Sequence, residues 1–266
     1  MKVMLFGDSH LAAVRRGLAA IPPARLDGVE LQFWGTPGNR FRHIDWQDGR
    51  ITPLDEATAN AFARFNGQGV RALDPVLYDA VVFVGARIRP GAVIPDLLNH
   101  IADPDRYLTR AYIKAVIAAQ FRSLSTYRMA QAMAAAGKTR VLLNPISLST
   151  HRAGAAPRPY AMARRASPAD IALLWSVMAE VLAEDGIGAI LQPQDSVVAG
   201  YLTDERYGLP PGDDAHKNAE YGALILEAIL QAVQRPAGSP VNSSHNGSGS
   251  PALAALSGAA FARHRR

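Results

Sequence analysis

The sequence contains no cysteine among its 266 residues. A disulfide, a thiolate metal site and a cysteine nucleophile are therefore excluded. No stretch approaches the roughly 20 consecutive apolar residues that a membrane-spanning helix needs. The N-terminus has one lysine and then a short apolar run, which is not the pattern of a secretory signal. We therefore expect a cytoplasmic protein without a membrane span.

The excess of positive charge is small once the C-terminal region is set aside. The chain has 28 basic and 23 acidic residues, and Arg263, Arg265 and Arg266 lie in a tail without acidic residues. Without these three arginines, 25 basic residues stand against the same 23 acidic ones. Most other arginines are scattered through alanine-rich segments and are not interleaved with aromatic residues. This pattern argues against a nucleic-acid partner.

Short apolar runs alternate with segments of helical periodicity along most of the chain. The runs predict strands at residues 3–6, 29–34, 78–84, 140–143 and 187–191. The helical segments begin at residue 11 and recur at 57–65, 107–136, 167–183 and 217–233. Asp48-Gly49, between two short runs, predicts an additional hairpin at the edge of the domain. This alternation predicts an α/β protein with a mainly parallel five-stranded sheet.

The composition changes at Pro236, where Gly, Ser, Asn, Pro and Ala begin to dominate. Such a segment has too few large apolar residues to form a packed core. We therefore predict one domain over residues 1–235 and a disordered tail over residues 236–266.

Polar residues follow the predicted strands where each strand ends. Ser9 follows the first strand, in Gly7-Asp8-Ser9, and immediately precedes the first helix. Parallel strands place their carboxyl ends at one edge of a sheet, where ligands bind in open α/β folds. At the helix N-terminus, free N–H groups and the helix dipole would stabilise a developing anion beside Ser9. The alternative is that Asp8 or Ser9 serves only as the N-cap of the helix.

A second polar cluster, Asp213 and His216, precedes the last helix. At this spacing, the carboxylate can accept a hydrogen bond from one ring nitrogen while the other nitrogen faces the cleft. A serine hydroxyl needs such a base to become a nucleophile. The alternative is that Asp213 and Asp214 cap the helix and that His216 lies on the surface.

Together these segments resemble the SGNH/GDSL hydrolase family over residues 1 to about 233. Gly7-Asp8-Ser9 resembles its nucleophile block, Gly38 its second-block glycine, and Asp213 with His216 its terminal Asp-x-x-His block. The resemblance implies a flavodoxin-like three-layer α/β/α sandwich with Ser9 as nucleophile and no metal. It further implies that the N–H group of Gly38 helps to bind the oxyanion.

The sequence departs from the family pattern at two positions. His10 follows the serine where the family usually has leucine, and Gly85-Ala86-Arg87 stands where the family has Gly-x-Asn-Asp. Loss of an oxyanion donor typically costs about 10²–10³ in rate. Arg87, Asn39 or Asn144 could supply the missing donor, or catalysis is weak. Equally, Arg87 could be a solvated loop residue and Asn144 a turn residue before Pro145.

The sequence therefore supports three functional hypotheses. The first is a serine esterase or deacylase acting on a small-molecule or glycan ester without a cofactor. The second is a degenerate member that binds a glycan or a protein, and the third is an acyltransferase with the same triad. The remaining histidines lack metal-ligand spacing. Several arginines flank the long loop 146–167 and could meet an anionic substrate or simply be solvated: Arg152, Arg158, Arg164 and Arg165.

Overall fold

The computed structural model describes residues 1–36, 38–152, 160–210 and 212–235. The strands are β1 (Lys2–Gly7), β2 (Glu30–Gly35), β3 (Ile44–Gln47), β4 (Arg50–Pro53), β5 (Ala80–Gly85), β6 (Arg140–Pro145), β7 (Gly188–Ala189), β8 (Val197–Val198) and β9 (Leu202–Thr203). The α-helices are α1 (Leu11–Gly17), α2 (Glu56–Asn66), α3 (Ile94–Ile101), α4 (Arg110–Arg122), α5 (Ser125–Ala136), α6 (Pro168–Glu184) and α7 (Ala219–Gln234). The predicted disordered tail, 236–266, lies outside the described residues.

A five-stranded parallel sheet has the order β2-β1-β5-β6-β7. Side chains alternate between its two faces, so both must be covered. Val3 and Leu5 pack with α1 and α7 on one face, whereas Met4 and Phe6 pack with α3, α4, α5 and α6 on the other. This double burial explains why the central strands are continuously apolar. The predicted three-layer α/β/α sandwich with a five-stranded sheet is confirmed.

The helices α1 and α7 approach each other at the level of their backbones. A Cβ atom on Gly222 would lie 1.8 Å from the carbonyl oxygen of Ala13, and one on Gly17 would lie 2.2 Å from the nitrogen of Ala223. Only glycine permits this approach. Ala13 and Gly222 both belong to the first turns of their helices, so the segments that precede the two helices lie side by side.

Several local predictions are confirmed with adjusted boundaries. The hairpin consists of β3 and β4, with Asp48 and Gly49 at positive φ in its turn. Ser167 forms a capping box with Asp170 at the start of α6, and Pro168 occupies its first turn. The strand predicted at 187–191 is shorter, since only Gly188 and Ala189 pair with β6. In the described part of the chain, no helix combines the length and apolar character needed to cross a membrane.

The helical segment predicted over residues 107–136 is two helices rather than one. Leu124 between them has extended backbone angles, φ −87° and ψ 130°. The hydroxyl of Ser123 donates to the carbonyl of Gln120, which satisfies an acceptor at the end of α4. The strong helix formers on both sides masked this break in the sequence.

Candidate active site

Ser9, His216 and Asp213 form one hydrogen-bonded chain at the carboxyl edge of the sheet. The Nε2 atom of His216 lies 2.8 Å from the hydroxyl oxygen of Ser9. Its Nδ1 atom lies 2.8 Å from Oδ2 of Asp213. The structure thus joins groups that are 207 residues apart in sequence. This connectivity makes His216 able to take a proton from Ser9 while Asp213 orients its ring.

The packing of α1 against α7 explains how the two ends of the chain meet. Ser9 lies two residues before the start of α1, and His216 lies three residues before the start of α7. The glycine-mediated contact between the helices therefore sets the separation of the two side chains. Asn218, not Asp213, caps α7 by accepting from the N–H group of Tyr221. Asp213 is thereby left to interact with His216.

Asp213 also shapes the turn that carries His216. Its Oδ1 atom accepts from the backbone N–H groups of Ala215 and His216, at 3.2 and 2.9 Å. The backbone hydrogen bond from His216 is the largest influence on this carboxyl group, and it lowers the pKa of Asp213 against the opposing effect of burial. Asp213 is therefore a carboxylate at neutral pH and accepts a hydrogen bond from Nδ1 of His216.

The loop that bears the histidine is anchored by two cations that the sequence did not single out for this purpose. Arg152 donates from Nε to Oδ1 of Asp214, at 2.9 Å, and from Nη2 to the carbonyl oxygens of Leu209 and Asp213. Its side chain is 17% exposed, and these hydrogen bonds commit its Nε and Nη2 groups to the histidine loop. The position of Arg152 beside a long loop could not reveal this role, because its partners lie some 60 residues further along the chain.

Lys217 is the second anchor and is 3% exposed. Its ammonium group donates to the carbonyl oxygens of Asp214 and Ala215. Burial lowers the pKa of Lys217 to about 8, and the charges of Asp213 and Asp214 partly oppose this effect. A lysine next to the histidine in sequence would ordinarily be read as exposed, so only the structure identifies it as part of the loop's support.

The turn after β5, Gly85-Ala86-Arg87, has three consecutive positive φ angles: 69°, 46° and 58°. This conformation is costly for Ala86 and Arg87, which carry a Cβ atom. It directs the backbone N–H of Arg87 to Oδ2 of Asp8, at 3.0 Å. The guanidinium of Arg87 reaches the carbonyl oxygen of Gly38 at 3.3 Å. Arg87 therefore bridges the turns that follow β1 and β2, and it is not a solvated loop residue.

The predicted oxyanion donors fall into two groups. Among the described residues, the N–H groups of Ser9 and Gly38 have no hydrogen-bond acceptor, and Gly38 has a positive φ of 63°. Asn39 lies beside Gly38 and is exposed. Asn144, by contrast, donates its amide to the carbonyl oxygen of Ile190 at 2.8 Å and is buried. One hydrogen of the Asn144 amide is thus engaged in a connection between strand ends, and a role of Asn144 as an oxyanion donor stays a prediction.

The described residues contain no group of three or more His, Asp or Glu side chains arranged to hold a metal ion. The chemistry available at this edge is that of a hydrogen-bonded chain, in which Ser9 can donate to His216 and His216 can donate to the carboxylate of Asp213. The backbone N–H groups of Ser9 and Gly38, in the turns that follow β1 and β2, have no acceptor within the part of the chain that the structure describes. This combination can activate a hydroxyl and stabilise negative charge that develops next to it.

No protein-family model matches the chain, and a search of curated proteins found no similar sequence. Solved structures with a similar fold include a GDSL-like lipase from Bacteroides thetaiotaomicron (17% identity, TM-score 0.37, 87% of each chain covered). An acetyl xylan esterase is 16% identical, with TM-score 0.37, over 88% of this chain and 100% of that one. A lipase from a goat rumen metagenome is 12% identical, with TM-score 0.42, over 88% and 97%. Likenesses this distant carry no information about activity, and membership of the SGNH/GDSL family stays a prediction.

Proposed function

We propose that the protein is a serine esterase or deacylase that works through an acyl-enzyme formed on Ser9. The observation that supports this proposal is the pair of 2.8 Å contacts that link Ser9, His216 and Asp213. The first of these contacts is within the distance at which a histidine can act as general base toward a hydroxyl.

In the proposed reaction, Oγ of Ser9 attacks the carbonyl carbon of an ester while Nε2 of His216 takes the hydroxyl proton. Collapse of the tetrahedral intermediate breaks the bond to the alkoxide oxygen, which receives that proton from His216. Water then repeats the sequence on the acyl-enzyme, so that the carboxylic acid is released and Ser9 regains its proton. Asp213 holds the tautomer with the hydrogen on Nδ1 and stabilises the imidazolium that forms twice.

The N–H groups of Ser9 and Gly38 are the proposed oxyanion donors, since neither has an acceptor among the described residues. Arg87 supports this arrangement because its guanidinium donates to the carbonyl oxygen of Gly38, and Gly38 also carries one of the two proposed N–H donors. We propose that Arg87 takes over the place of the missing third-block asparagine, by fixing Gly38 and by adding positive charge beside it. Burial and the nearby charges of Arg42 and Arg89 lower the pKa of Arg87, but a guanidinium still keeps its charge at neutral pH.

The substrate is proposed to be a small-molecule or glycan O-acyl ester, with no cofactor. An acyltransferase would use the same first half-reaction and would differ only in its acceptor. Partition of the acyl-enzyme between water and an added sugar alcohol distinguishes these two outcomes.

The central test is Ser9→Ala. We expect the variant to lose p-nitrophenyl acetate hydrolysis and covalent labelling by a fluorophosphonate, because both require Oγ. Ser125→Ala is the matched control, since Ser125 is exposed at the start of α5 and has no described hydrogen bond. Unchanged hydrolysis by Ser9→Ala would refute the proposal. Wild-type protein that neither hydrolyses nor becomes labelled would instead indicate a binding module.

A further inference from the structure

His10 lies directly against the ring of His216. The centroids of the two imidazoles are 4.9 Å apart and their planes differ by 29°, which is a stacked arrangement. The side chain of His10 is 13% exposed. His10, which immediately precedes α1, therefore covers one face of the proposed general base.

Asp8 holds the His10 ring in this position. Its Oδ1 atom lies 2.8 Å from Nδ1 of His10 and also accepts from the His10 backbone N–H. Burial of Asp8 opposes its ionisation, but the hydrogen bonds and charge of His10, together with the backbone N–H of Arg87, outweigh burial and lower the pKa of Asp8. Because a carboxylate only accepts hydrogen bonds, Nδ1 of His10 must carry the hydrogen. The ring is thus tethered at one nitrogen.

The turn after β5 leaves room for this pair. A Cβ atom on Gly85 would lie 2.8 Å from Cβ of His10 and 2.9 Å from Oδ1 of Asp8. The backbone N–H of Arg87, in the same turn, donates to the other oxygen of Asp8. The strained turn, the carboxylate and the His10 ring therefore form one packed unit behind His216.

The second nitrogen of His10, Nε2, is shielded from solvent and has no hydrogen-bond partner among the described residues. His10 thus makes no polar contact toward the cleft. What it presents to the site is the flat face of its ring, in contact with the ring of His216.

We propose that His10 is a positioning residue, which holds the ring plane of His216 so that Nε2 points at Ser9. This inference rests on the proposed function. The hydrogen bonds that the His216 ring makes with described residues, of Nδ1 with Asp213 and of Nε2 with Ser9, lie in the plane of the ring. In-plane hydrogen bonds limit sliding of a ring but oppose its tilt weakly, whereas a stacked neighbour opposes tilt directly.

Two variants separate stacking from the hydrogen bond to Asp8. His10→Phe keeps a flat ring and loses the bond to Asp8, whereas His10→Asn keeps an N–H donor near Asp8 and loses the ring. We expect kcat to fall about tenfold in His10→Asn and to stay within about threefold of wild type in His10→Phe, a part of the usual general-base contribution. KM should stay unchanged in both variants, because His10 makes no polar contact toward the cleft. The measurement is steady-state hydrolysis of p-nitrophenyl acetate.

A second readout does not depend on turnover. The proton on Nδ1 of His216, hydrogen-bonded to Asp213, should give a narrow NMR signal in the wild type and in His10→Phe. It should broaden in His10→Asn, because the unsupported ring tilts. An inactive wild type with this NMR difference would end the proposed function and leave the positioning role intact.

Three outcomes would overturn the positioning role. They are equal NMR line widths in the two variants, a higher kcat in His10→Asn than in His10→Phe, and a change in KM with kcat unaltered. The first two would show that the ring face does not matter, and the third would make His10 a substrate-binding residue.

Discussion

Replacement of Asp213 by asparagine tests the electrostatic part of the proposed mechanism. The variant keeps the size of the side chain and an oxygen that can accept from the N–H groups of Ala215 and His216. It removes the negative charge that faces Nδ1 of His216. It also places an amide N–H group near that nitrogen, which favours the tautomer that cannot accept from Ser9.

The expected loss of kcat follows from the attraction between His216 and Asp213 and from the solvent exposure of their side chains. Unit charges about 4 Å apart attract by about 1 kcal/mol in water and by about 4 kcal/mol at an effective dielectric constant of about 20. The side chains of His216 and Asp213 are 37% and 39% exposed, so their interaction lies between these limits. A value of about 2–3 kcal/mol for stabilisation of the imidazolium corresponds to a loss of about 100-fold in kcat, and the unfavourable tautomer of His216 adds to this loss.

The assay is steady-state hydrolysis of p-nitrophenyl acetate, with Asp27→Asn as the control. Asp27 is exposed in the turn before β2, at the amino ends of the strands and thus at the opposite edge of the sheet. The Asp27→Asn variant loses the same single negative charge, and we expect its kcat to match that of the wild type. A loss of less than threefold in Asp213→Asn would refute the view that its charge supports His216.

Two further predictions concern the framework that brings the site together. Gly222→Ala should destabilise the protein by about 2–3 kcal/mol, because its Cβ would meet the carbonyl of Ala13 at 1.8 Å. Chemical denaturation checks this, and an unchanged midpoint would contradict the close packing of α1 and α7. Lys217→Met tests the buried cation: between pH 8 and its ordinary pKa of about 10.4, unfolded Lys217 binds a proton that the folded form has released. The unfolding free energy of the wild type should therefore rise over this pH range by up to about 3 kcal/mol relative to the variant, as measured by urea titrations at pH 7 and pH 10. A constant difference between the two proteins would contradict the lowered pKa of Lys217.

The elements that could be predicted are those whose signals are local. A continuous apolar run predicts β5 because a strand covered on both faces needs apolar residues at every position. Ser167-Pro168 predicts the start of α6 because the hydrogen bonds of the capping box join Ser167 to Asp170, only three residues further along the chain. The helical segment over 107–136 was harder to divide, because the break at Leu124 carries no proline or glycine.

The candidate site likewise contains residues that the sequence predicts and contacts that only the structure shows. Ser9 and the pair of Asp213 and His216 stand out as polar residues next to helix starts. Arg87 could be named as a candidate, but its bridge between Asp8 and Gly38 depends on left-handed backbone angles that the residue type does not favour. Asn144 is equally suitable as a donor in the sequence, and only the structure shows that its amide donates to the carbonyl oxygen of Ile190.

Residue order alone thus established an α/β protein with polar groups at one edge of its sheet, because strand burial, helix periodicity and caps depend on near neighbours. The tertiary structure decided which of those groups meet: it set Ser9 against His216, placed His10 on the ring of His216, and joined Arg152 and the buried Lys217 to the histidine loop. These contacts join residues far apart in the chain. They depend on how closely two helices and three turns can approach, which is a property of the packed molecule and not of any short segment.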